Sequence, residues 1–520
     1  MMRSRKHTSA TRRTRAAGAG VLALALLPLG GLAAGAAWAN DGIPPGQDVP
    51  GEQDIAEIRP GGYRLYTIPE AYELYGETAA IGDGGSIGDV VGTFTNYVHD
   101  DEPTLVGPGD DTAAIQAAID AASEETTGGV VRFAAGHYEL GMLLLRSNTR
   151  LEIDPDAVLK MTDDVLFNAG RGTTAAESGR VSTVVNVEVT STKNTQKFTI
   201  DMSHKKPNDP AAAFLLAMVR NFAISNFSVQ DNYTLLPSVF MVPDSDTFVG
   251  AQLVDDVPVR NLSFDRCPDY GVVQNAESFH THTGYGLSQV FCGSHLNLRD
   301  LYAEGGVTLR LEPGSGPDHL NRAGPDVGAM HDIEVSDLTN RGGFTTLYIK
   351  PHSKEIRNVR VHNLTGIDSG FTLMVDIGSA DLDDPLFGRG HYSDTVVTGN
   401  ISLKKTVKEE VSHIGFMGTY FVADSVLEKV DRLADFGKDP SGNRWYVTDV
   451  IAPVLLASEQ SADEVGPYEK GRYQIDLSGA NITSNHLPRD DNEPKRDQRI
   501  LYRSDARNLD GSPATDVIEK

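Results

Sequence analysis

Ile333-Glu334-Val335-Ser336-Asp337-Leu338 is followed by Val359-Arg360-Val361-His362-Asn363-Leu364, with the two short polar residues 26 positions apart. The same phrase occurs as Phe222-Ala223-Ile224-Ser225-Asn226-Phe227, Val257-Pro258-Val259-Arg260-Asn261-Leu262, Leu296-Asn297-Leu298-Arg299-Asp300-Leu301 and Val396-Val397-Thr398-Gly399-Asn400-Ile401. Alternation with period two marks a half-buried strand, and Asn or Asp at a constant place marks a corner where a short side chain bonds its own backbone. The corners fall 26 to 39 residues apart, without amphipathic helices between them. That pattern predicts an all-β parallel solenoid rather than a doubly wound sheet, each coil burying its neighbour's apolar face. The Asn and Asp corners are read as turns, with no catalytic weight.

Upstream, Asp110-Asp111-Thr112 precedes apolar residues at helical spacing, including Ile115, Ala118 and Ile119, so a capped helix is expected there. It leads into Gly129-Val130-Val131-Arg132-Phe133 and Gly136-His137-Tyr138. This run resembles the N-terminal cap of the pectin-lyase-like superfamily, which implies a right-handed parallel β-helix. A cap is physically needed because an open solenoid end exposes core and strand edges.

Residues 1–39 read as an export signal: basic residues including Arg12-Arg13, an apolar stretch from Gly18 to Ala36, and Ala37-Trp38-Ala39 as cleavage site. The arginine pair fits either twin-arginine or general export. The stretch has the wrong length and flanks for a membrane span, so a secreted, extracellular protein is expected. The remaining organisation reads as an irregular wrap over 40–100, cap and first coil over 101–160, and parallel β-helix over 161–487. A lateral insertion with helical charge spacing is expected at 406–439, and a solvated tail at 488–520.

The formal net charge is −26, and loss of the leader's six basic residues takes it to −32. Such a field disfavours nucleic acid and anionic membranes as partners, and a polyanionic substrate would need a local basic cleft. A monomer acting on a polysaccharide is expected. Cys267 and Cys292, bound for an oxidising compartment, are either bridged between coils or free and buried. Neither lies in a zinc-ligand cluster, and no nucleotide fingerprint or nucleophile elbow stands out, so no cofactor is implied. Asp381-Leu382-Asp383-Asp384 offers oxygen ligands to a structural calcium or sodium, although such runs at turns are commonly just solvated.

Chemistry concentrates between residues 284 and 376. In a strand, Thr308, Arg310 and Glu312 share one face while Leu309 and Leu311 share the other. Leucines belong in the core, so Arg310 and Glu312 point outward. The same parity places Tyr348, Lys350 and His352 together on a later coil, while Leu287 and Ser288 disagree about which way Gln289 faces. Neighbouring cations would keep Glu312 ionised, whereas burial would keep it protonated. His282 and Tyr285 could line the same groove, a ring giving a sugar face something to stack on.

The ordered set Tyr285-Gly286-Leu287-Ser288-Gln289, Gly305-Gly306-Val307-Thr308-Leu309-Arg310-Leu311-Glu312, Lys350-Pro351-His352 and Asp368-Ser369-Gly370-Phe371 resembles the active-site coils of the iota-carrageenases. These are family 82 glycoside hydrolases, secreted β-helical enzymes acting on sulfated red-algal galactan. The resemblance covers roughly residues 270 to 375. It implies Glu312 as proton donor, with Gln289 and His352 supporting the site. It also implies an aspartate two residues after the acid as general base, but that position is Gly314. Carboxyls at i and i+2 lie about 6.5 to 7 Å apart, the spacing that lets a water sit between them in an inverting hydrolase.

Without that aspartate, Asp318 or Asp376 activates the water, or the chain performs another reaction, or it binds without turnover. A hydrolase with Glu312 as acid is the first reading. A lyase would use His352 or Tyr348 as base, with Arg310 or Lys350 neutralising a uronate. A non-catalytic glycan-binding β-helix is the third. In the first two readings, Arg310, Lys350, Tyr348, His282 and Tyr285 contact substrate.

Overall fold

A computed structural model describes residues 103–502, apart from 126–127, 172–183, 194, 244–266, 315–328, 377, 379–389, 407–411, 416–436, 439–443, 449, 457–472 and 487–498. The expected leader (1–39), the wrap (40–100), Asp318 and Asp381-Leu382-Asp383-Asp384 lie outside the described residues. Among the described residues no helix is long and apolar enough to cross a membrane.

The chain winds as a right-handed parallel β-helix. One column of strands runs through Gly129–Phe133, Thr149–Ile153, Val184–Ser191, Val219–Gln230, Asp269–Val290, Ser294–Leu311, Met330–Arg341, Glu355–Ile367 and His391–Lys404, each parallel to the next. Inward rungs stack like on like, as in Val273, Leu298, Val335, Val361 and Val397, and together they form one continuous core. A second column, formed by Val239–Met241, the ends of the two long strands, Thr345–Ile349, Phe371–Val375 and Ala452–Leu456, carries the site.

The predicted cap helix spans Thr112–Glu124, with the Asp111 side chain accepting from the Ala114 amide at 2.8 Å. Its buried Ile115, Ile119 and Ala122 close the core's N-terminal end.

The predicted corners are turns of left-handed backbone, with φ of 59° at Asn226, 53° at Asp300, 56° at Asp337 and 56° at Asn363. Asn and Asp tolerate this conformation because their side chains bond locally. Asn275 occupies the rung between Asn226 and Asp300, and its amide donates to Asn226 at 2.7 Å. The phrase ending at Asn261 lies outside the described residues, and Val219–Gln230 pairs directly with Asp269–Val290. At the last repeat Gly399 rather than Asn400 is left-handed, at φ 69°. Asn400 nevertheless continues the amide ladder, accepting from Asn481 at 2.9 Å.

The described residues bear on two boundary expectations. Within and beside 406–439 the described pieces are strands: Ser412–Gly415 and Gly437–Lys438 flank Arg444–Thr448 in an antiparallel sheet. Most of the charged stretch itself, 407–411 and 416–436, lies outside the described residues. In the expected tail, Ile500–Tyr502 is a strand parallel to Ala452–Leu456, so the solenoid continues past residue 487.

Cys267 and Cys292 form a disulfide across a separation of 25 residues, resolving the open alternative in favour of the bridge. Closing a loop of that length restricts the unfolded chain by about 3.5 kcal/mol. Replacing both cysteines by serine is therefore expected to lower the unfolding free energy by about 3 kcal/mol. A urea titration that leaves the midpoint unmoved would refute this.

Candidate active site

The second column settles which groups face outward. Ser288 stacks on Leu309 and Leu347 in the inward row, which leaves Gln289, Arg310 and Tyr348 aligned in the outward row. Two residues on, Glu312, Lys350 and Asp376 follow on the same side, since Glu312, Lys350 and Asp376 extend the rungs of Leu311, Ile349 and Val375. The flanking Leu309 and Leu311 are fully buried in the core, as their parity required.

Glu312 is the centre of the cluster. Its side chain is only 1 % exposed, so its charge must be met by protein. Gln289 Nε2 donates to Oε2 at 2.6 Å. The Arg310 guanidinium grips both oxygens, Nη2 to Oε1 at 2.7 Å and Nε to Oε2 at 2.7 Å. His352 Nε2 lies 3.4 Å from Oε1. Arg310 is itself fixed, since its Nη1 donates to the Gly284 carbonyl and its guanidinium lies 5.5 Å from the Tyr285 ring and 5.6 Å from that of Tyr348.

Burial raises the pKa of Glu312, but attraction to Arg310 and then the bond and charge of His352 outweigh it, bringing the group down to about 2. The sequence left that contest open, and the cations win it. Burial likewise lowers the pKa of His352 more than Glu312 raises it.

Asp376 belongs to the same patch. Its Oδ2 accepts from Tyr348 Oη at 3.3 Å and Lys350 Nζ at 3.3 Å. It stands two rungs from Glu312, with Lys350 between, which is about 9.6 Å of backbone separation. Inverting glycosidases hold their carboxyls roughly 6.5–9.5 Å apart, and the side chains can lean within that window.

Gly314, where the family resemblance calls for an aspartate, has φ 80°, and a Cβ there would sit 2.3 Å from Ser353 Oγ and 2.9 Å from the Ser353 amide. No side chain fits that position with this backbone. The base position is closed by geometry as well as by residue type.

Three of the predicted substrate contacts are buried in the structure. His282 is 5 % exposed. Its Nδ1 accepts from the Gly284 amide at 3.0 Å, and its Nε2 lies 3.2 Å from Asn208 Oδ1. It therefore shapes the irregular stretch of strand that presents the Gly284 carbonyl. Tyr285 is buried against Arg310 and offers no face to a sugar. Tyr348 is also buried, and it holds Arg310 and Asp376 instead. Lys350 and His352 keep partial exposure, as do Arg310 and Asp376. The Gly284 carbonyl was missed because a backbone acceptor leaves no residue-type signal.

The buried acids set a pH profile. Glu312 contributes stability that is complete above its ordinary 4.5 and is lost as pH falls toward about 2. Others run the opposite way. Burial, opposed by Arg150, lifts Glu188 to about 8, burial opposed by Asn297 lifts Glu334 to about 7, and burial opposed by hydrogen bonds from Asn232 and Thr234 lifts Asp231 to about 6. These groups stay protonated in the fold where the unfolded chain ionises, so the stability they contribute is full below their ordinary values of 4.5, 4.5 and 3.8, drains as pH rises above them, and is gone once pH passes about 8, 7 and 6 respectively. The melting temperature is expected to peak near about pH 4.5 and fall on both sides. A thermal-shift series that stays flat from pH 5 to 9 would contradict this.

Fold and site together define a class: a right-handed parallel β-helix whose outer face carries a carboxylate gripped by an arginine, a glutamine and a histidine, with a second carboxylate two rungs away. Within that class the sequence is iota-carrageenase-like. It is 27% identical over 281 residues to an iota-carrageenase of Zobellia galactanivorans, covering 53% of this chain and 51% of that protein. It is also 27% identical over 279 residues to one of Alteromonas macleodii, again over 53% and 51%. The chain thus spans about half the length of the curated relatives it matches. No protein-family model matches it.

Among solved structures, a 1,3-alpha-1,4-beta-D-galactose-4-sulfate-3,6-anhydro-D-galactose-2-sulfate 4 galactohydrolase aligns with a TM-score of 0.59 at 17% identity, over 81% of this chain and 97% of that one. An iota-carrageenase complexed to iota-carrageenan fragments aligns at 0.58 and 16%, over 81% and 96%. An iota-carrageenase from A. fortis gives 0.59 and 15%, over 81% and 96%. These likenesses establish the β-helical fold.

Proposed function

We propose that the protein is a secreted hydrolase that cleaves internal linkages of a sulfated galactan, with Glu312 as general acid and Asp376 as general base. The observation that carries the reading is the outward but buried carboxyl of Glu312, held by Gln289, Arg310 and His352, in a chain whose curated relatives are iota-carrageenases.

In the free protein Glu312 is ionised, so it must gain a proton before it can donate one. A sulfate on the incoming sugar supplies an anion that competes for the Arg310 fork, and Arg310 binds such oxyanions bidentately. Drawing Arg310 off removes the attraction that holds Glu312 near 2. Burial then dominates and favours the protonated acid. Glu312 passes its proton to the glycosidic oxygen as the bond breaks. Asp376 takes a proton from a water that attacks the anomeric carbon from the opposite face, inverting its configuration. Lys350, between the two carboxyls, meets a second sulfate or steadies Asp376.

The test is incubation of the purified protein with iota-carrageenan, other carrageenans, agar, pectin and alginate, following reducing ends and ultraviolet absorbance together. Reducing ends from a sulfated galactan without an unsaturated product support the proposal. An absorbing product from a uronate polymer would replace it with the lyase reading. Binding without either signal would replace it with a glycan-binding β-helix.

A further inference from the structure

The first corner of each coil carries a second ladder. In the early coils it is made of amides: Asn186 donates to Asn148 at 2.9 Å and Asn221 to Asn186 at 2.8 Å, all three with left-handed backbone. The same corner on later coils is Tyr270, His295, Asp332 and Asn358, at φ 52°, 49°, 56° and 49°. Turn geometry alone is served by Asn. Here the rungs present an imidazole and a carboxylate, with a second imidazole, His331, one residue before Asp332.

These side chains converge. Asp332 Oδ2 lies 2.6 Å from His331 Nδ1 and 3.4 Å from His295 Nε2, and one ligand atom from each residue falls within 4.8 Å of the others. Tetrahedral zinc with bonds of about 2.0–2.1 Å places its ligands roughly 3.3 Å apart, so binding needs shifts of about 1 Å or less.

The surroundings prepare the ligands independently. Asp269 Oδ1 lies 2.8 Å from His295 Nδ1. A carboxylate only accepts, so Nδ1 holds a proton toward Asp269, and Nε2, beside Asp332, is the nitrogen left to bind a metal in place of any proton there. That is the carboxylate–histidine support which fixes the tautomer of metal-bound imidazoles. Tyr270 stacks on the His295 ring at 4.3 Å with the planes 1° apart, and Asn358 donates to the other oxygen of Asp332. The side chains of His295, His331 and Asp332 are 20%, 13% and 25% exposed, which leaves an approach for a metal and for water.

We propose that His295, His331 and Asp332 form a binding site for a divalent transition metal of the zinc class, with water completing the coordination. Two imidazoles favour such a metal over calcium or magnesium, which prefer all-oxygen sets. The site lies apart from the proposed chemistry and begins three residues after Cys292. Metal and disulfide together would staple consecutive coils at this corner.

The test uses the full chain stripped with a chelator, then titrated with Zn2+ by calorimetry and with Co2+ by visible absorption. The expected result is one strong site per chain, Co2+ ligand-field bands at one equivalent, and a zinc-induced rise in melting temperature on the order of a few degrees. His295→Gln and Asp332→Asn are expected to weaken binding by about tenfold or more and to abolish that rise. Mg2+ is expected to do nothing. Absence of Co2+ bands in the wild-type chain, or equal zinc affinity in the wild type and both variants, would overturn the site. The wild-type spectrum decides the matter even if a variant fails to fold.

Discussion

Glu312→Gln is expected to lower turnover on the cleaved galactan by about 10²–10⁴-fold while leaving its affinity little changed. The substitution keeps the size and most of the hydrogen-bonding shape of a side chain gripped by Gln289, Arg310 and His352. It removes the one function a glutamine cannot perform, delivery of a proton to the leaving oxygen. A competing effect must be separated. Taking away one partner of a buried ion pair leaves Arg310 without its counter-charge, which costs about 3–5 kcal/mol of stability in comparable cases. Arg310 keeps its contacts with the Gly284 carbonyl and two tyrosine rings, and part of its side chain reaches solvent, so the lower end of that range is expected. Melting temperature and galactan binding should be measured beside reducing-end release. A variant that is folded, binds and still turns over within about threefold of the wild type would remove Glu312 from catalysis. A variant that loses binding as well would make Glu312 a positioning group for Arg310. The double variant Arg310→Gln, Glu312→Gln removes the stranded charge and should recover stability without recovering turnover.

What the sequence makes legible here is whatever depends on local periodicity. Asp337 and Asn363 announce corners because a left-handed turn admits few residue types, and Leu309 and Leu311 announce the direction of Arg310 and Glu312 because a strand alternates. Legibility fails where register is set by distant chain. Between Ser278 and Gly286 the pairing slips, so strand parity does not carry through this stretch, where the structure buries His282 and Tyr285 rather than leaving them open to a groove. The rung between Asn226 and Asp300 belongs to Asn275, which stands outside every alternating phrase visible in the sequence, because a rung is set by pairing across coils. The histidines at 295 and 331 were silent for a related reason: their meeting requires knowing that Ser294 and His331 share a rung.

Asp376→Asn is expected to be as damaging as loss of the acid, about 10²–10⁴-fold in turnover. Gly314 cannot be the base, and Gly314→Asp is not expected to restore one, because a Cβ there meets Ser353 Oγ at 2.3 Å and its backbone amide at 2.9 Å. The reaction therefore needs another carboxylate across the groove, and Asp376 stands on the outward row of Glu312 with Lys350 and Tyr348 directing one of its oxygens. Two rungs is wider than the i and i+2 spacing and still leaves room for the attacking water. Asparagine preserves the size of the side chain and the bond from Tyr348 but cannot accept the water's proton. A purely structural role predicts a different pattern, in which Asp376→Asn lowers melting temperature and substrate affinity together. The decisive readout is rescue: a small anionic nucleophile such as azide, which needs no base, should restore bond cleavage in Asp376→Asn and trap a sugar azide of inverted configuration. Glu312→Gln should show no such rescue, because protonation of the leaving group is still missing. If azide rescues neither variant while both remain folded and bind galactan, Asp376 is not the base and the water is activated from elsewhere.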